Sequence, residues 1–158
     1  MSSTELAEGD AAPDFTMPAS GGRSVSLKAM RGRPFLLYFY PKADTPGCTK
    51  QACALQEALP QLGRLKLDVI GVSKDKMPPI EKFAAKYNLT FPLASDATTG
   101  VAEAYGVWVE KSMYGRKYMG MERTSFLIDS AGRIARIWRK VKVAEHAGDV
   151  LAAAKSVT

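Results

Sequence analysis

Residues 34–40, Pro-Phe-Leu-Leu-Tyr-Phe-Tyr, form an unbroken apolar and aromatic run. A run of this length and composition reads as a buried strand. It passes directly into Pro41-Lys42-Ala43-Asp44-Thr45-Pro46-Gly47-Cys48-Thr49-Lys50-Gln51-Ala52-Cys53, and then into Ala54–Leu59, which reads as a helix. Both cysteines of the chain, Cys48 and Cys53, lie in this one stretch. A thiol placed where a strand hands over to a helix meets unpaired backbone N–H groups and the positive end of the helix dipole. Such surroundings favour the thiolate, the reactive form of cysteine.

The rest of the chain alternates strands and helices around this unit. Residues 1–10 are expected to be a loose polar lead-in. Asp14–Met17 and Ser24–Leu27 are short strand candidates around Ser20-Gly21-Gly22-Arg23, which predicts a short N-terminal β-hairpin. A helix over 46–63 follows the buried strand, then a second apolar strand over Leu67–Ser73. Pro78-Pro79 opens a helix whose Ile80, Phe83, Ala84 and Tyr87 share one face. A strand at Pro92–Ser95 precedes a helix at Thr99–Tyr105 closed by Gly106. Trp108–Met121 reads as irregular. Arg123–Asp129 and Arg133–Val141 are strands joined by a tight turn at Ser130-Ala131-Gly132, and Glu145–Lys155 is a final helix. The class is α/β with a mixed central sheet flanked by helices, and residues 1–158 are expected to form one domain.

With 46% hydrophobic residues the chain can bury a core without disulfide staples, so its two cysteines point to chemistry. Zinc is disfavoured, because a structural site needs four N or S ligands and the chain offers two cysteines and the single His146. The N-terminus carries no basic cluster followed by an apolar segment, and no apolar run approaches a membrane span. The expectation is a cytoplasmic protein that does not engage a membrane. A net charge of +6 raises the question of nucleic acid. The densest basic run, Arg133–Lys142, is interrupted by Ile134, Ile137, Trp138 and Val141, as in a strand with one buried face, so nucleic-acid binding is not expected.

Thr45 suits the N-cap and Pro46 the first helical position, which places Cys48 in the first turn. Five residues along a helix separate the Cα atoms of Cys48 and Cys53 by ~8.5–9 Å. A disulfide needs about 7 Å or less. The two thiols therefore cannot bond while the helix is intact, and bonding would require its first turns to unwind. From the residues alone, Cys53 is as well explained by helix packing as by function.

The stretch Tyr38-Phe39-Tyr40-Pro41-Lys42-Ala43-x-Thr45-Pro46-Gly47-Cys48-Thr49-x-Gln51-Ala52-Cys53 resembles the active-site signature of peroxiredoxins, in particular the PrxQ or bacterioferritin comigratory protein subgroup. Asp10-x-x-Pro13-Asp14-Phe15, Val69–Ser73, Gly106-Val107-Trp108 and Arg123–Asp129 extend the similarity. The resemblance implies a thioredoxin-like fold and thiol peroxidase activity on hydrogen peroxide and organic hydroperoxides. Cys48 matches the peroxidatic cysteine, and Cys53 the resolving cysteine that many members of the subgroup carry. Thr45 and Arg123 match the other motif positions, Pro41 the proline over the pocket, and the amides near Gly47 and Cys48 further donors to the peroxide. It also implies recycling by thioredoxin or a related dithiol reductant, a monomer, and no metal or organic cofactor.

Two residues depart from the pattern: Gln56 stands where relatives often have arginine, and Gln51 where some have glutamate. The Met- and Tyr-rich segment 113–121 could line the pocket or form a satellite packing cluster. Two rival readings are a redox sensor whose disulfide alters a protein partner, and a basic nucleic-acid-binding domain. The first is separated from a peroxidase by turnover with reduced thioredoxin, the second by salt-dependent DNA binding.

Overall fold

A computed structural model describes residues 5–157. In chain order the elements are β1 (Thr16–Ala19), β2 (Arg23–Ser26), β3 (Phe35–Phe39), α1 (Pro46–Arg64), β4 (Asp68–Ser73), α2 (Met77–Lys86), β5 (Leu93–Ser95), α3 (Val101–Ala104), β6 (Trp108–Met113), β7 (Arg116–Met121), β8 (Thr124–Ile128), β9 (Ile134–Trp138) and α4 (Val143–Ala154). Seven strands form one mixed sheet in the order β2-β1-β5-β4-β3-β8-β9. Strands β3, β4 and β5 run parallel, while β8 pairs antiparallel with β3 and β1 antiparallel with β5.

The apolar run 34–40 becomes the central strand because the sheet is covered on both faces. Phe35, Leu37 and Phe39 point into a core with Phe15, Met17, Val101, Tyr105 and Phe126. Leu36, Tyr38 and Tyr40 point the other way, against Ala52, Leu55 and Leu62 of α1, Phe83 of α2 and Val150 of α4. A strand buried on both sides has no polar alternation, which is why it reads as a continuous hydrophobic run. Gly71, opposite Tyr38 in β4, makes room for that ring: a Cβ there would lie 2.8 Å from Tyr38 Cζ and from Leu93 Cδ2.

The N-terminal hairpin forms at 16–26, two residues later in its first strand than the sequence suggests. The lead-in expected to be loose is fastened from Leu6 onward. The Gly9 amide donates to the Ile134 carbonyl at 2.7 Å, Ile134 N–H donates to Asp10 at 2.8 Å, and Arg139 holds the Leu6 carbonyl at 2.7 Å. Residues 1–4 of that expectation lie outside the described residues. The segment 108–121 is not irregular. It is a separate two-stranded hairpin, with Tyr114 and Gly115 at φ 52° and 77° between paired Met113 and Arg116. Two consecutive positive φ values are the signature of a type I′ turn, whose twist matches that of its strands. Among the described residues no helix is long and apolar enough to cross a membrane.

Candidate active site

The segment between β3 and α1 is pinned before the helix begins. Asp44 adopts φ 61°, a left-handed conformation that Asp tolerates better than most side chains. Its carboxylate accepts from Lys86 Nζ at 3.0 Å and from the Tyr87 hydroxyl at 2.9 Å, tying the turn to the end of α2. Ala43 N–H donates to Asp75 Oδ2 at 2.7 Å, which ties it to the end of β4. None of these long-range ties is visible in the local sequence pattern.

Thr45 occupies the N-cap position in extended conformation and Pro46 opens α1. The Thr45 hydroxyl does not cap the helix. It donates to the Lys42 carbonyl at 2.8 Å and closes the preceding turn instead. Among the described residues, the amides of Gly47 and Cys48 have no hydrogen-bond acceptor, as expected in a first turn. Cys48 is 1% exposed, and its Sγ accepts from Arg123 Nη2 at 3.3 Å. Gly47 leaves space for this guanidinium, since a Cβ there would sit 3.3 Å from Nη2. Pro41, at the head of the turn, is itself exposed.

Arg123 directly precedes β8, and its carbonyl is held by Val141 N–H at 2.9 Å. Its second terminal nitrogen, Nη1, donates to Gln51 Oε1 at 2.6 Å. Gln51, one helical turn beyond Cys48, is buried and also meets His146 Nδ1 at 3.3 Å. His146 Nε2 in turn lies 2.8 Å from Ser125 Oγ. Burial pushes the imidazole down from 6.5 to about 4; Arg123 acts in the same direction, while Asp149 opposes it. Gln51 stood out in the sequence only as a departure from a pattern, His146 only as one of too few potential zinc ligands, and Ser125 only as part of a strand. Gln56, the other departure, bonds Thr90 at the surface, with Thr90 N–H donating to its Oε1 at 2.8 Å.

Cys53 lies on the same unbroken helix as Cys48, half-buried, and both thiols are free. Burial raises the Cys53 pKa, and the nearby Glu57 carboxylate raises it further. Arg123 also borders an open pocket of about 630 Å³, together with Val109, Lys111 and Val141. The Met and Tyr side chains of 113–121 do not build that wall. Met113, Tyr114, Tyr118 and Met119 stand exposed on the hairpin. No cluster of three or more His, Cys, Asp or Glu that could hold a metal ion occurs among the described residues.

Residues 8–137 match the AhpC/TSA family. The chain is 48% identical over 143 residues to the putative peroxiredoxin bcp of Coxiella burnetii, covering 90% of this chain and 95% of the relative. It is 44% identical over 146 residues to peroxiredoxin Bcp of Escherichia coli K12, covering 92% and 94%. Among solved structures it is similar to peroxiredoxin Q of Xanthomonas campestris, with TM-score 0.86, 40% identity and 90% of each chain covered. A cysteine-to-serine mutant of PrxQ from Xylella fastidiosa superposes with TM-score 0.91 at 35% identity over 98% of each chain. The thiol and guanidinium at the β3–α1 junction thus sit on a thioredoxin-like α/β fold, and this chain belongs to the AhpC/TSA family as a peroxiredoxin of the Bcp/PrxQ type, a thiol peroxidase.

Proposed function

We propose that Cys48 is the peroxidatic cysteine and Cys53 the resolving one, in an enzyme that reduces hydrogen peroxide and organic hydroperoxides at the expense of thioredoxin. The observation that carries this reading is the 3.3 Å contact between Arg123 Nη2 and Cys48 Sγ beside two unpaired first-turn amides. Guanidinium and amide donors in fixed positions stabilise a thiolate and the charge that spreads over the two peroxide oxygens during attack. The Cys48 thiolate attacks one oxygen, an S–O bond forms and the O–O bond breaks. Cys48 becomes a sulfenic acid, and the departing oxyanion takes a proton to leave as water or alcohol. A Xanthomonas campestris bacterioferritin comigratory protein, 39% identical over 90% of this chain, has been solved as trapped intermediate and ligand complexes bearing on its alkyl peroxide reduction. That supports hydroperoxides as the substrate class here.

The Thr45 hydroxyl, half-buried at the helix start, orients the peroxide, with the Gly47 and Cys48 amides as further donors. Pro41, which has no N–H, limits water near the sulfur. Cys53 then condenses with the sulfenic acid: an S–S bond forms and water leaves. The first turns of α1 unwind for this step, because the folded helix holds the two Cα atoms too far apart. The raised pKa of Cys53 keeps it a thiol near neutral pH, so it does not compete with Cys48 for peroxide. Thioredoxin, or a related dithiol, returns the disulfide to two thiols by exchange. The protein acts as a cytoplasmic monomer.

Coupled turnover with thioredoxin, thioredoxin reductase and NADPH tests this reading. Cys48→Ser is inactive; Cys53→Ser consumes one equivalent of peroxide and is not recycled. An active Cys48→Ser variant would falsify the assignment.

A further inference from the structure

The hydrogen bonds behind Arg123 can be oriented without ambiguity, because a guanidinium has donors and no acceptor. Arg123 Nη1 lies 2.6 Å from Gln51 Oε1, so the amide oxygen of Gln51 must face Arg123. Its NH2 group must then face His146, 3.3 Å from Nδ1. Nδ1 therefore presents a lone pair, the ring proton sits on Nε2, and Nε2–H donates to Ser125 Oγ at 2.8 Å. A single donor-to-acceptor sense runs through the chain. Cys48 Sγ and Gln51 Oε1 both accept from Arg123, Gln51 donates to His146, and His146 donates to Ser125.

We infer that His146 is a positioning residue of the peroxidase site, holding the Gln51 amide in the one orientation that keeps Arg123 aimed at Cys48. The inference rests on Arg123 and Cys48 acting as proposed above. An amide is nearly symmetric in shape, so nothing in the helix itself prevents Gln51 from turning over. Turned over, it would point N–H groups at the guanidinium, and Arg123 would lose the partner that anchors Nη1. In its Nε2–H tautomer the neutral imidazole opposes that state, because Nδ1 then only accepts. Protonated, the ring would carry a hydrogen on Nδ1 and select the wrong rotamer.

The site is built to keep the ring neutral. His146 is 2% exposed on α4, with the Tyr38 ring of β3 at 6.2 Å and the Trp138 ring of β9 at 6.3 Å between centroids. The ionised groups that act on it are Arg123, just before β8, which disfavours its charge, and Asp149 on α4, which favours it. Arg139, Lys140, Lys142, Glu145 and Asp149 line the open pocket beside the ring. Burial outweighs the attraction of Asp149. Ser125 and Gln51 are both buried, so water does not compete for the chain.

A substitution that makes amide orientation irrelevant separates positioning from plain support. In Gln51→Glu both side-chain oxygens accept, so Arg123 is held whichever way the group is turned. The rate of reaction of the reduced protein with hydrogen peroxide, followed by stopped-flow tryptophan fluorescence, reads the effect. His146→Leu slows the wild type about tenfold, less than the roughly hundredfold that a 1 Å misplacement can cost, because Arg123 keeps its contact with Gln51 part of the time. The same change slows Gln51→Glu less than about twofold, since the two residues are coupled. Ser125→Ala, which removes the hydrogen-bond partner of Nε2, slows the wild type less and is likewise masked by Gln51→Glu. This second pair carries the test if His146→Leu does not fold.

Equal losses in both backgrounds, or no loss in the wild type, would overturn the role of His146. Arg123→Met is the control for the underlying reading. If it reacts with peroxide at the wild-type rate, the proposed site fails. If it is slow while the His146 and Ser125 variants are fast, only the positioning role fails.

Discussion

The first turns of α1 and the β6–β7 hairpin both carry sulfur-containing side chains, and the chain treats them in opposite ways. At the start of α1, Cys48 is 1% exposed, and Arg123, Gln51 and His146 are linked behind it by hydrogen bonds. On the hairpin, Met113 is 57% exposed and Tyr114 98%, and the strands pair only with each other. Burying polar groups is tolerated when each finds a partner, and it then fixes geometry. The hairpin forgoes burial and therefore precision. The difference teaches where reactivity is organised: the reactive sulfur is backed by linked residues from α1, α4 and the start of β8, whereas the exposed sulfurs are held by none.

Oxidation should break the contrast most visibly. In reduced protein the amides of 46–54 are protected by an intact helix. After one equivalent of peroxide that protection falls toward the level of an unfolded segment, while hairpin amides hardly change. Equal protection of the helix in both redox states, read by hydrogen exchange, would remove the unwinding step. A smaller effect comes from pH. His146 remains neutral in the folded protein down to about pH 4, whereas the unfolded chain takes up this proton near 6.5. The unfolded state thus binds more protons as pH falls through this window, so the His146 contribution is complete above it and is lost on the way down. The loss amounts to about 3 kcal/mol. Urea melts between those limits check it, and His146→Leu should flatten the dependence. The smallest effect belongs to the hairpin. Tyr114→Ser with Met119→Ser should move stability by about 0.5 kcal/mol or less, and leave the ratio of turnover on hydrogen peroxide to that on cumene hydroperoxide unchanged. A shifted ratio would give the hairpin a share in substrate choice.

Much of the site was legible because it is local. The strand–turn–helix unit, the N-cap position of Thr45 and the first-turn place of Cys48 all follow from side-chain type and spacing within about twenty residues. The hairpin was missed for a physical reason: strands with almost no buried face carry no hydrophobic alternation to read. Its one local signal was Tyr114-Gly115, a pair that can supply the two positive φ values of a type I′ turn. The ties of the lead-in were not legible locally because they reach Ile134 and Arg139, far along the chain.

The amino-acid sequence by itself determined the reactive unit, the apolar strand with a thiol placed at the helix that follows, because those preferences are set by short-range sterics, dipoles and periodicity. It also dictated that Cys48 and Cys53 cannot bond without unwinding, which is helix geometry alone. Only the tertiary structure decided what surrounds the sulfur. Arg123 and Gln51 meet across 72 residues of chain, and Gln51 and His146 across 95. Such partners are chosen by which faces the sheet and helices bury together, and no local pattern encodes that choice.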